Sequence, residues 1–152
     1  MISALRKAGG WAPLPARIAL GVIFMAHGSQ MLFGAFGGPG LAGTAGFLGK
    51  MGFRPPMLWA VLLAVTQFFG GLGVLVGLLT KLASVGIAIA MIVAIATVHA
   101  RNGFFLQPDK PGFEYNLALI GICISLVLSG AGKLSLDALF SKQQPPGAES
   151  PG

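Results

Sequence analysis

The chain has 152 residues, 55% of them hydrophobic and only 9% charged, with a formal net charge of +6 and a mean hydropathy of +0.82. Soluble domains carry roughly 25% charged residues, so this balance argues against a water-soluble fold and for a membrane protein. The ten basic residues stand singly or in pairs beside apolar runs, the pattern of membrane anchors, and no nucleic-acid partner is expected.

Stretches free of Lys, Arg, Asp and Glu run over Ile18–Gly49, Pro55–Thr80, Leu82–Ala100 and Tyr115–Gly132. A span needs about 20 mostly apolar residues, so these runs predict an all-α integral membrane four-helix bundle. Residues 1–13 read as a basic N-terminal arm with Trp11 at headgroup level. No small-residue cleavage site follows Arg6 and Lys7, so the first apolar run is expected to be a retained helix, over 14–33. Residues 34–55 are glycine-rich, but Leu41, Phe47, Leu48, Met51 and Phe53 are spaced to line one side of a short interfacial helix. Helices over 56–79 and 82–100 form a hairpin through a very short turn. A polar loop, Arg101–Phe113, leads to a helix over 114–132 and one short amphipathic turn. The membrane domain is placed at 14–138 and a disordered cytoplasmic tail at 139–152.

Basic residues at the helix ends divide unevenly. Arg6, Lys7, Lys81, Lys133 and Lys142 fall on one side, with Arg17 just inside the first helix, against Lys50, Arg54, Arg101 and Lys110 on the other. This bias puts both termini in the cytoplasm. The single cysteine, Cys123, excludes a CxxC thiol–disulfide mechanism and reads as a small buried hydrophobe.

Helices in lipid associate through close backbone approach and polar contacts. Gly70, Gly71 and the Gly73/Gly77 pair on the second helix, Ser84, Gly86, Ala88, Ala90 and Ala94 on the third, and Gly121, Ser125 and Ser129 on the fourth are therefore the expected packing faces.

Few polar residues interrupt the apolar runs: His27, Ser29 and Gln30, then Gln67, His99, Glu114 and Asn116, with Asn102 just beyond the third helix. Burying such groups costs free energy unless they find partners, so they are functional candidates. At a rise of about 1.5 Å per residue all lie in the outer half or at mid-membrane, which predicts a polar cavity open toward the outer side. Structural roles compete with this reading: an interhelical bond for Gln67, a helix cap for Glu114 and Asn116, an interfacial helix end for His99 and a hydrogen-bonded structural role for His27. The different depths of the two histidines and the lack of further His or Cys ligands argue against metal or haem.

Read in order, the segments Ala26–Gly34, Gly37–Phe47, Gln67–Leu72 with Gly77–Lys81, His99, Asn102–Phe105, Glu114–Leu119 and Leu134–Asp137 resemble the DoxX family of small four-helix bacterial and archaeal membrane proteins. The resemblance implies a bundle in the cytoplasmic (inner) membrane with a loosely defined redox role; some relatives are membrane subunits of a thiosulfate:quinone oxidoreductase. Relatives usually carry Lys at the position of Met31 and Glu at that of Gln67, so a charge pair expected from the family is neutral here. A neutral amide cannot relay a proton as a carboxylate can. The expected function is a membrane subunit of a redox complex whose pocket of His27, Gln30, Gln67, His99, Asn102, Glu114 and Asn116 binds a quinone or another small molecule; the alternative is a non-catalytic scaffold or small-solute permease. Expected partners are the lipid bilayer and redox partner subunits, with a homo-oligomer also compatible. No side chain here carries electrons alone, so any chemistry would need a bound cofactor or a partner.

Overall fold

The computed structural model describes residues 10–141, which form six α-helices and no strand: α1 Pro13–Phe33, α2 Gly40–Lys50, α3 Pro56–Val76, α4 Thr80–Ala94, α5 Glu114–Ser129 and α6 Leu136–Ser141. Pro13 and Pro56 open α1 and α3, positions where a missing N–H costs nothing. Beyond Ala94, α4 continues through a π turn, Ile95–His99, and a 3-10 turn, Ala100–Asn102. The helices α1, α3 and extended α4 are long and apolar enough to cross a membrane. At 16 residues, α5 is shorter, about 24 Å at the usual rise.

The buried positions share one spacing. They are Pro13, Arg17, Gly21, Phe24 and Gly28 on α1, with Leu20 buried beside Gly21, Ala60, Ala64, Gln67, Gly71 and Val74 on α3, Thr80, Ser84, Ile87 and Met91 on α4, and Asn116, Leu119, Cys123 and Leu126 on α5. Alternating steps of three and four are the seam of near-parallel helix packing. As expected, Cys123 is fully buried in this core.

The most extensive contact joins α1 to α3, and glycine permits it. A Cβ on Gly71 would stand 2.7 Å from the Met25 nitrogen, one on Gly21 2.9 Å from the Gly71 oxygen, and one on Gly28 would fall on the backbone of Phe68. Gly71 thus packs as expected, while Gly21 and Gly28 are equally important members of the same seam. Gly70 makes ordinary contact with Ile87 of α4.

Other expected packing residues serve differently. Gly121 and Ser125 lie on an exposed face of α5, and nothing stands within 4 Å of where a Gly121 side chain would begin. The α5 seam is Asn116, Leu119, Cys123 and Leu126 instead, because i+4 spacing marks a face without saying which face meets a neighbour. Gly77 is not half of a GxxxG contact: at φ 74° it is the left-handed cap of α3, so this helix stops at Val76 and not at 79. Gly73 lies beside the carbonyl of Leu78 in the same turn. The α5 helix ends at Ser129, short of 132, where Gly130 leaves helical geometry. The tail expected from 139 begins later, since α6 runs to Ser141; residues 1–9 of the basic arm and the tail from 142 on lie outside the described residues.

One cation organises the end of the bundle where α3 turns into α4. Arg17 is 1% exposed, and its guanidinium donates to four backbone carbonyls: Val74 at 2.9 Å and Leu75 at 2.8 Å in the last turn of α3, and Ala131 at 2.8 Å and Leu134 at 2.6 Å beyond α5. The first two lie where a helix end leaves carbonyls without their usual partners, although Val74 O also accepts from Gly77 N at 3.3 Å; the other two belong to the connection between α5 and α6. A side chain at Gly77 would collide with this guanidinium. The Arg17 charge also interacts with Asp137, whose two oxygens accept from Leu79 N at 2.8 Å and Thr80 N at 3.1 Å. Asp137 on α6 therefore caps α4 and holds Leu79 at its unusual φ of 50°. Lys133 N donates to Gly10 O at 2.8 Å, so both ends of the described chain meet on this side.

Two outcomes test this packing. Gly28→Ala forces a methyl group onto the Phe68 backbone and should cost about 1–3 kcal/mol, read as a lower melting temperature in detergent, whereas Gly121→Ala should leave it unchanged. Arg17→Lys keeps the charge but not the planar fork, and should lower stability by about 3 kcal/mol or more in the same assay.

Candidate functional site

Toward the opposite end of the bundle the helices enclose a cavity of about 640 Å³. Its walls come from Ile23, Phe24, His27 and Met31 of α1, Phe47, Leu48 and Met51 of α2, Trp59 to Gln67 of α3, Gly86 to His99 of α4, and Tyr115, Asn116 and Leu119 of α5. Among the described residues no Asp, Glu, Lys or Arg lines it.

Of the residues expected to form a pocket, His27, Gln67, His99 and Asn116 meet here. Gln67 sits on the α3 seam, 4% exposed, with no hydrogen bond from its side chain to any described residue. A buried amide with two donors and an acceptor unused is a standing cost. Asn116 donates only to the soft sulfur of Met91 at 3.4 Å, leaving its carbonyl oxygen for another partner. His27, an exposed position on α1 that borders the cavity, has no hydrogen-bond partner among the described residues. Met31 and Gln67, the two positions that depart from the family pattern, both face this one space. The hydroxyls of Ser29 and Thr97 bond back to their own helices, to Met25 O and Val93 O at 2.7 Å each, the usual solution in an apolar setting.

The remaining three expected pocket residues do other work. Gln30 does not line the cavity; its backbone carbonyl receives the N–H of Gly34 at the end of α1. Asn102 and Glu114 lie outside the lining as well and shape the loop between α4 and α5. The carbonyl of Pro111 accepts from Asn102 Nδ2 at 3.1 Å and bonds His99 Nδ1 at 2.8 Å, while a Glu114 oxygen accepts from Leu106 N at 2.6 Å. Because a carbonyl can only accept, Nδ1 carries the proton of neutral His99 and Nε2 is left as an acceptor. These bonds, with the pairing of Leu106 and Pro111, hold Leu106 and Gly112 against the cavity.

Sequence reasoning missed Thr66, Thr97 and Tyr115 as lining residues. Thr97 reaches the cavity together with its neighbours Val98 and His99 on a π turn, a local widening frequent at functional sites that no apolar periodicity signals.

The helices, their apolar lipid-facing surfaces and the internal cavity define a multi-pass helical membrane protein. A DoxX family model matches residues 12–100, and the chain belongs to the DoxX family. It is 32% identical over 126 residues to "Putative oxidoreductase CatD" of Bacillus subtilis, covering 83% of this chain and 84% of that one. It is 29% identical to the inner membrane protein YqjF of Escherichia coli over 130 residues, 86% of this chain and 92% of the other, and 28% identical to the inner membrane protein YphA over 127 residues, 82% and 86%. No solved structure matches the chain significantly.

The loop bonds carry a prediction. Glu114→Ala removes the acceptor for Leu106 N, a bond to a charged group worth about 1.5 kcal/mol or more, so exchange of that amide should accelerate on the order of tenfold by mass-resolved hydrogen exchange. Glu114→Gln, which keeps a carbonyl oxygen there, should preserve most of the protection.

Proposed function

We propose that the protein is a membrane subunit of a redox complex in the cytoplasmic (inner) membrane, with both termini in the cytoplasm, and that its cavity binds a quinone. The observation that carries this reading is Gln67: a nearly fully buried amide, without a hydrogen-bond partner among the described residues, in a cavity whose walls are mostly apolar. Ligand sites of this kind combine a greasy slot with a few placed polar groups. A quinone ring offers flat apolar faces and two carbonyl acceptors, and the Gln67 amide can donate to one of them. Asn116 and His27 border the same space and supply a second donor. An uncharged lining suits an uncharged head and disfavours a free ion.

The name of the CatD relative as an oxidoreductase and the inner-membrane names of YqjF and YphA support the setting. This chain binds and orients the quinone, and the electrons come from a partner subunit.

Purification with native lipids, followed by extraction and quantification of quinone, tests the reading. Quinone near one per chain is expected, falling by roughly tenfold in Gln67→Leu, the loss of about 1.4 kcal/mol. Only phospholipid in both preparations, with unchanged quinone turnover in membranes lacking the protein, favours a scaffold or permease instead.

A further inference from the structure

The cavity lies between helices that separate as they leave their hairpin. At the Arg17 end, α3 and α4 touch: a Cβ on Gly73 would stand 3.7 Å from Ala83 Cβ, one on Gly70 3.5 Å from Ile87 Cγ1, and one on Gly86 3.3 Å from Thr66 Cγ2. Beyond the Thr66–Gly86 contact the facing positions no longer fill the gap. Leu62 and Leu63 on α3, and Ala90 and Ala94 on α4, line the cavity instead. Of the small α4 residues expected to mark close packing, Ser84 is buried, Gly86 meets Thr66 and Ala88 packs against the core, while Ala90 and Ala94 border the space.

This gap reaches the outer surface of the bundle. Leu62 is 48% exposed and Ile89 56%, with Trp59 and Val93 also exposed, and all four line the cavity. Residues that both line a cavity and face lipid mark its rim; Phe47 of α2, Leu106 of the loop and Tyr115 of α5 are exposed lining residues too, and the α3–α4 cleft contributes these four apolar members. The α1–α3 seam alongside is shut by Gly28 against Phe68 and Gly71 against Met25, and the α4–α5 loop is tied down over the end by His99, Asn102 and Glu114.

We propose that the cleft between α3 and α4 is a lateral portal to the bilayer, through which an isoprenoid quinone enters and along which its tail lies while the ring reaches Gln67. This rests on the reading of the cavity as a quinone site and adds the route and the tail. The chemistry of the two regions divides accordingly: an unpaired amide at depth for the head, and an apolar rim of Trp59, Leu62, Ile89 and Val93 for a chain continuous with lipid. Because lipid and the rim are equally apolar, the tail adds little affinity and sets the direction of approach.

The test uses the full chain in phospholipid nanodiscs and a benzoquinone whose decyl tail ends in a diazirine. Photolabelling is expected on Trp59, Leu62, Ile89 and Val93, and excess tail-free benzoquinone should suppress it by occupying the head site. Label suppressed by the competitor but confined to the 103–113 loop, or to α1 and α5, overturns the portal and leaves the quinone site standing. Label that no competitor suppresses overturns both. As a second measurement, Ala94→Phe should weaken binding of the tailed quinone by about tenfold and leave the tail-free ring unaffected, read by quenching of Trp59 in a Trp11→Phe background. Equal loss for both molecules, with an unchanged melting temperature, counts against a tail seated in the cleft.

Discussion

A single guanidinium, taken out of water one turn into α1, sets the terms for the rest of the molecule. Arg17 cannot shed its proton, so its burial requires that every side be met by oxygen. Four carbonyls meet it, from the end of α3 and from the segment after α5. Those carbonyls lie at the end of α3 and in the irregular segment after α5, where regular helix geometry no longer supplies every partner. One costly group thus satisfies several others, and α1, α3 and the chain beyond α5 are fixed at one level. Asp137 extends the arrangement by capping α4 from α6.

Rigidity at that end permits openness at the other. Glycine lets α1 and α3 touch backbone to backbone, and the α3–α4 hairpin is closed at its turn, so the gap that develops toward the loop is a property of the fold and not of a loose core. Polar residues are distributed to match. At the closed end the Arg17 guanidinium bonds to backbone, while the buried hydroxyls of Thr80 and Ser84 on the α4 seam have no hydrogen-bond partner among the described residues; where the helices part, Gln67 and Asn116 keep hydrogen-bonding capacity in reserve. The family's expected charge pair would sit at Met31 and Gln67, on the wall of that same gap. Met31 and Gln67 leave that wall without a formal charge.

The helical membrane character was legible because run length and the absence of charge nearly determine it, and helix starts at residues 56 and 114 follow from Pro56 and from the polar loop before Glu114. Helix ends were less legible. Gly77 is the left-handed cap of α3, and Leu79 takes left-handed geometry where its N–H donates to Asp137; no local pattern announces a partner that far along the chain. Arg17 itself read as an orientation signal, since its partners are carbonyls that every residue possesses. For the cavity, polar residue type pointed correctly to His27, Gln67, His99 and Asn116, but could not separate groups facing the space from Asn102 and Glu114, which tie the loop. The stripe at Gly121, Ser125 and Ser129 misled because small residues on an outward face look the same in sequence as small residues on an inward one.

The Arg17 node also imposes an order on how the molecule is made. Arg17 leaves the ribosome 57 residues ahead of Val74 and 117 ahead of Leu134. During synthesis the first helix therefore reaches the membrane with a guanidinium whose partners do not yet exist, and water or headgroups must serve it at the interface. The arrival of α3 supplies two carbonyls, and only the last described segment supplies the rest. Arg17 is thus a delayed latch: two of its four acceptors arrive with α3 and the other two only with the segment that follows α5.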